Sequence, residues 1–376
     1  MYEFIPVNEP VLNGNEKKYL CECIDTGWIS SEGPFIKRFE DDMCKLTGRK
    51  YGIAVSNGTA ALEVAAAALE LKSGDEVIMP TFTIISCAEA VVKRGAVPVL
   101  IDCDPITYNM DILQIESKIT SKTKAIMVVH IYGLPVDMDP ILEIAKKYNL
   151  KIIEDAAEMH GQTYKGKPCG SFGDISIFSF YPNKHITTGE GGMVLTDDEH
   201  LAERSKSLRN LCFKPERRYV HDEIGFNYRM TNMQAALGVA QIERINETVK
   251  KKREIGSYYN KLLKDIQYLN LPLLSTSYAD NIYWVYGIIL DNEFPIDAFE
   301  ITKRLGEKKV GTRTFFWPMH EQPVFKNMGL YKNEKYPISE KLARRGFYIP
   351  SGLALNKNQM EQVAERLEEV VRECTR

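Results

Sequence analysis

The residues of this chain best suited to chemistry are an amine, Lys184, two carboxylates, Asp155 and Glu158, and a short glycine turn, Asn57-Gly58-Thr59. Lys184 lies in Ser179-Phe-Tyr-Pro-Asn-Lys184-His-Ile-Thr-Thr-Gly-Glu-Gly-Gly192, directly after the apolar run 175–180. An amine at the end of a buried strand, held by turn-forming Pro182 and Asn183 and followed by a glycine-rich segment, can enter a cleft and condense with an aldehyde cofactor as Schiff-base lysines do. A lysine beside a glycine-rich loop is more often a solvated charge. The reading therefore needs an anion cradle and an acidic partner.

The glycine turn offers the cradle. Residues 51–56 read as a short buried strand, and 60–70 are a run of strong helix formers. The first N–H groups of a helix lack internal partners and the macrodipole is positive there, so Gly58 and Thr59 favour a phosphate. An ordinary turn with Asn57 or Thr59 as N-cap would use the same residues. The acid ends a second apolar run, Leu150-Lys-Ile-Ile-Glu-Asp155-Ala-Ala-Glu158. Asp155 facing a pyridine nitrogen would keep it protonated, and the ring could then absorb the electron pair released when a Cα–H bond breaks. Asp155 as the cap of a following helix, with Glu158 as its N3 partner, is the competing reading. One connection and one strand separate Asp155 from Lys184, so both can emerge at the same sheet edge.

The elements that must position these groups alternate along the chain. Strand-like runs at 52–55, 76–79, 97–101, 124–129, 150–154, 175–180 and 192–195 alternate with helical stretches at 59–71, 83–94, 111–118 and 138–148. This predicts an α/β fold with a mostly parallel sheet covered on both faces and a cleft at the carboxyl ends of its strands. One or two long helices should follow between residues 230 and 265. The strand-like 283–290, helical 297–307 and an amphipathic last helix near 358–374 predict a smaller α+β C-terminal domain. The expected domains are 1–250 and 251–376, with residues 1–30 as an arm on the large domain or a partner.

Taken in order, the segments Ser56-Asn-Gly-Thr-Ala-Ala-Leu62, Gly74-Asp-Glu-Val-Ile-Met-Pro-Thr-Phe-Thr83, His130-Ile-Tyr-Gly133, Glu154-Asp-Ala-Ala-Glu158, Phe172-Gly-Asp-Ile-Ser176, Lys184 with Thr188-Gly-Glu-Gly-Gly192, and Gly225-Phe-Asn-Tyr-Arg-Met-Thr-Asn232 resemble the DegT/DnrJ/EryC1/StrS nucleotide-sugar aminotransferases. The resemblance covers nearly the whole chain. It implies the fold type I of pyridoxal-phosphate (PLP) enzymes, similar to aspartate aminotransferase, and assigns roles residue by residue. Lys184 would hold the cofactor aldehyde, Asp155 would pair with the ring nitrogen and Glu158 would lie near the phenolic oxygen. Gly58, Thr59 and Ser179 would bind the phosphate, and Phe82 would stack on the ring, although it could equally be core. Asn227 would reach the phosphate of a neighbouring subunit, making a homodimer with shared sites; a plain loop before the helix near Met233 is the alternative.

Substrate expectations rest on Val310-Gly-Thr-Arg313-Thr-Phe315-Phe-Trp-Pro-Met-His320-Glu-Gln-Pro323, which is similar to a segment of the GDP-perosamine synthases within that family, with Thr314 where those enzymes carry proline. It implies glutamate as amino donor and GDP-4-keto-6-deoxymannose as acceptor, giving GDP-perosamine for O-antigen lipopolysaccharide or another surface glycan. Arg313 offers a planar donor fork, Phe315 an aromatic face and His320 a donor for a hydroxyl or phosphate. About half of the aromatics at 315–317 should be core. A UDP- or dTDP-linked keto sugar is the alternative acceptor. Related sugar dehydratases carry histidine where these enzymes carry lysine, so adjacent Lys184 and His185 matter; a non-enzymatic regulatory role is a further alternative.

Composition narrows the classes. With 376 residues, 44% of them hydrophobic, and a net charge of −3, the chain can bury a large core and lacks a nucleic-acid stripe. The basic clusters Lys250-Lys-Lys-Arg253 and Arg217-Arg218 read as solvated surface. The eight cysteines show no metal-ligand spacing and read mostly as buried free thiols. No stretch reaches the roughly 20 apolar residues needed to cross a bilayer, and the first residues do not read as a secretion signal, so the expectation is a cytoplasmic protein without membrane or nucleic-acid partners.

Overall fold

The computed structural model describes residues 3–375. Seven strands form the main sheet: β1 (Tyr51–Val55), β2 (Glu76–Pro80), β3 (Val97–Ile101), β4 (Thr123–Val129), β5 (Lys151–Asp155), β6 (Ile175–Ser179) and β7 (Gly192–Thr196). Their order is β1-β7-β6-β5-β4-β2-β3. The neighbours from β3 to β6 are parallel, and β7 runs antiparallel to both β6 and β1. All seven expected strands and the mostly parallel sheet are thus present.

Alternation along each strand divides the core in two. Ile53, Val77, Met127, Ile153 and Ile177 face one layer, which contains helix Gly58–Ala68. Ala54, Ile78, Ile126, Ile152 and Phe178 face the other, which holds residues of helices Pro34–Thr47, Met138–Tyr148 and Asn232–Ile242. Helix Gly58–Ala68 is buried from Ala60 to Ala68, and its many alanines let it lie close against β6, β7 and helix Ile85–Val92. Both faces of the sheet are covered, as parallel strands require.

A second, antiparallel sheet contains β8 (Leu269–Asn270), β9 (Tyr286–Leu290), β10 (Arg313–Thr314) and β11 (Gly346–Ile349), in the order β8-β9-β11-β10. Helices Ala298–Glu307 and Lys357–Thr375 supply its core. The helix Ile245–Leu263 joins the two units: Ile245 and Val249 pack in the first core, Ile255 and Tyr259 in the second.

Two surface expectations change. The start of the N-terminal arm joins the second unit instead of the large one. Ile5 is buried there and makes a parallel bridge to Val310, while Tyr19 and Cys23 pack in the first core. In the basic run at 250–253, Lys252 is only 2% exposed, because it lies on the inner face of its helix. The eight cysteines are free, five of them buried.

Candidate active site

The carboxyl ends of the parallel strands open on a cavity of about 620 Å³ walled by Gly58, Thr59, Asp155, Glu158, Ser179 and Lys184, among others. Asp155 is the last residue of β5 and shares a face with Ile153, so strand alternation turns its carboxylate toward helix Gly58–Ala68. Glu154 points the other way, accepting from Gly170 N, Phe172 N and His130 Nε2. Lys184 follows β6 after a turn closed by its own N–H on Tyr181 O.

At the mouth of helix Gly58–Ala68, the Asn57 side chain caps Ala60 N at 2.8 Å, and Gly58 and Thr59 line the cavity wall. Thr59 Oγ1 lies 2.8 Å from Ser86 Oγ. A Cβ on Gly58 would stand 2.7 Å from Ser179 Cβ, so the cradle closes only around a glycine. The ends of β1 and β6 and the starts of helices Gly58–Ala68 and Ile85–Val92 therefore converge on one wall of the cavity.

Deeper in the cavity the charges are few and buried. Lys184 Nζ is 4.0 Å from Glu158 Oε1 and sits 3.8 Å from the centroid of the Trp284 ring. Burial lowers the amine's pKa, and the nearby Glu158 and Asp155 charges pull it back up. Burial pushes Glu158 up to about 8, against the pull of Lys184 and of the Tyr132 N–H that donates to it at 2.6 Å. Burial also raises Asp155, while Ala157 N–H at 3.0 Å and the Cys87 thiol at 3.2 Å stabilise its ionised form. An amine whose pKa burial lowers, a carboxyl that burial pushes up and a buried acid with donors on both oxygens form a proton-handling set.

The structure brings Lys184, Asp155, Glu158, Gly58, Thr59 and Ser179 together, and it is Lys184, not His185, that lines the cavity; His185 is buried, with Nδ1 toward His160 O. Other expected positions lie elsewhere. Phe82 is fully buried among Tyr132, Phe315 and Phe316, and the cavity wall past the end of β2 is Thr83 and half-exposed Ile84. Phe315 is buried against Tyr132, leaving Phe316 at the wall. His320 is buried with both ring nitrogens engaged, by Thr81 Oγ1 at 2.9 Å and Glu340 Oε1 at 3.2 Å. Arg313 is exposed on β10 in register with Tyr348, which does line the cavity. Asn227 is exposed, bridging Asn210. Trp284, Ser86 and Tyr348 were not expected at the site. Ser86 was open to a helical reading of 83–94, but nothing local marks Trp284, a hundred residues beyond Lys184.

These residues fit pyridoxal phosphate: a helix-mouth cradle without room for a Cβ, a buried acid on the sheet side and a buried amine are what its phosphate, ring nitrogen and aldehyde need. Fold and site thus define a PLP-dependent aminotransferase. Residues 10–368 match the DegT/DnrJ/EryC1/StrS aminotransferase family, and the chain belongs to it. It is 42% identical over 367 residues to a GDP-perosamine synthase of Escherichia coli O157:H7, covering 98% of each chain. It is also 42% identical over 368 residues to the GDP-perosamine synthase of Caulobacter vibrioides, again with 98% of each covered. Among solved structures, the aminotransferase TlmJ from Streptoalloteichus hindustanus superimposes with a TM-score of 0.91 at 28% identity, covering 99% of this chain and 100% of that one.

Proposed function

We propose that this protein transfers the amino group of glutamate to the C4 ketone of a nucleotide-linked 4-keto-6-deoxy sugar, with GDP-4-keto-6-deoxymannose as acceptor and GDP-perosamine as product, for a surface glycan such as O-antigen. The observation that carries the aminotransferase chemistry is the buried Lys184 amine facing Asp155 and Glu158 across one cavity. The choice of acceptor is supported by the full-length likeness to two enzymes named GDP-perosamine synthase.

Pyridoxal phosphate bound here would supply an electron sink for the pair released when a Cα–H bond breaks. The side chains do the rest. Gly58, Thr59 and Ser179, with Ser86, would hold the phosphate; Asp155 would pair with the ring nitrogen; Glu158 would lie toward the phenolic oxygen. Lys184 would anchor the cofactor's aldehyde carbon and, once the donor amine has displaced it, would accept the Cα proton and return it to that carbon, serving as general base and then general acid. The second half-reaction runs the same transfers in reverse on the keto sugar. Ile84 and Phe316 give apolar contact, while Arg313 beside Tyr348 gives a donor fork for the nucleotide part.

The working unit in this reading is a cytoplasmic homodimer, in which Asn227 of one subunit completes the phosphate site of the other. Support comes from exposed apolar side chains beside it: Tyr219 is 81% and Ile224 92% exposed. Among the described residues no helix is long and apolar enough to cross a membrane. The test is a panel of GDP-, UDP- and dTDP-linked 4-keto sugars incubated with glutamate and read by mass. The expected result is amination of GDP-4-keto-6-deoxymannose above the others; turnover confined to a UDP or dTDP sugar would overturn the acceptor.

A further inference from the structure

Lys252 is a lysine that the described chemistry does not use. It sits on helix Ile245–Leu263 between Val249 of the first core and Ile255 of the second. Its Nζ donates to two backbone carbonyls, Trp284 O at 3.0 Å and Ser351 O at 2.6 Å. Among the described residues no carboxylate pairs with it, and burial alone pulls its pKa down to about 7. A buried amine without an anion is costly, and an apolar side chain of similar volume would fill the space without that cost.

The two carbonyls show what the amine holds. Trp284 enters β9, its indole lies 3.8 Å from Lys184 Nζ, and its Nε1 donates at 3.1 Å to the carbonyl of Asn183, the residue before Lys184. Ser351 follows β11, and its Oγ accepts from Tyr286 N at 3.3 Å. Lys252 therefore ties the approach to one strand and the exit of its neighbour to the helix that joins the two units. The titratable residues that line a small void beside it are Lys184, His185 and, from the N-terminal arm, Glu9.

We infer that Lys252 is a positioning residue for the Lys184 amine, acting through Trp284: its hydrogen bonds hold the indole against the amine, where the ring face favours the ammonium form. Released from Lys252, the indole moves off and the amine becomes less basic. Removing the Lys252 charge alone would have the opposite sign, since a neighbouring cation disfavours a second one.

The sign separates the two, and capture of pyridoxal phosphate by the full-length protein freed of cofactor reads it. Only the neutral amine adds to the aldehyde carbon; a C–N bond forms, and the carbonyl oxygen leaves as water. The pH midpoint of the capture rate, followed by absorbance, therefore reports the amine's basicity. For Lys252→Met we expect this midpoint to fall by about half a pH unit or more, for Lys252→Arg to restore it, and for Lys252→Met to add nothing in a Trp284→Ala background. An unmoved or raised midpoint, or additive shifts in the double variant, overturns the inference. Should Lys252→Met not fold, Lys252→Leu, which likewise carries no donor for the two carbonyls, is read by the same outcomes. The inference rests on Lys184 as the capturing amine. Stable covalent capture by Lys184→Ala would overturn that assignment, whereas an unmoved midpoint with Lys184-dependent capture overturns only the role of Lys252.

Discussion

Replacing Gly58 by alanine places one methyl group where the phosphate cradle closes. The new Cβ would stand 2.7 Å from Ser179 Cβ and 3.0 Å from Ser179 Oγ, whereas carbon atoms in contact prefer about 3.5–4.0 Å, so one of the two must retreat by roughly 1 Å. Ser179 cannot do so freely, because it ends β6 in register with Gly192 of β7 and leads into the turn that carries Lys184. Crowding of this kind costs about 1–3 kcal/mol, offset in part by the better helix propensity of alanine, worth up to about 1 kcal/mol. Stability should therefore fall modestly. The larger effect is on the anion: losing one hydrogen bond to a charged group, about 1.5–3 kcal/mol, weakens phosphate binding on the order of 10- to 100-fold. Titrating the cofactor-free protein with pyridoxal 5′-phosphate, alongside a thermal melt, measures both. Adding Ser179→Gly should relieve the crowding and recover stability without recovering affinity. An affinity within about twofold of the parent protein, with an unchanged melt, would refute the cradle reasoning.

Glu158 has a folded pKa of about 8 against an ordinary 4.5, so the folded state keeps a proton that the unfolded chain gives up; its contribution is fully present below 4.5 and is lost as pH rises through 8. Glu158→Gln, which can still accept from Tyr132 N, should flatten the stability of the cofactor-free protein across that window and raise it at pH 8; denaturation curves at pH 5 and pH 8 that shift equally would contradict this. Thr231 forms a capping box with Gln234 at the start of helix Asn232–Ile242. Thr231→Ala should cost about 1 kcal/mol, roughly 1–2 °C in Tm, leaving the capture of cofactor by Lys184 intact.

How far the sequence carried depended on the range of the forces involved. The seven strands of the main sheet were readable because each is a short run of buried apolar residues, and parallel order then brings the carboxyl ends of all but β7 together wherever they fall in the chain. Asp155 and Lys184 met for that reason. Choices between adjacent residues were not readable. Phe82 and Ile84 both follow β2, and only the packing of Phe82 against Tyr132 and Phe316 decides which of them faces the cavity. Phe315 and Phe316 pose the same problem, since one turns inward onto Tyr132 and the other forms the wall. His320 carries the chemistry of a ligand-binding residue, but partners from distant parts of the chain, Thr81 and Glu340, already hold both nitrogens. Lys252 read as surface because a basic run on a helix gives no sign of which member faces inward. Trp284 reaches Lys184 from the second unit, a contact that only the assembled fold creates.

The account turns on the bond Lys184 makes. Borohydride reduction of the protein loaded with pyridoxal phosphate, followed by proteolysis and peptide mass analysis, locates that bond directly. The predicted result is a pyridoxyl group on Lys184 alone, absent from a folded Lys184→Ala variant that no longer transfers amino groups. A label on another lysine, or undiminished aminotransfer by the variant, would contradict it.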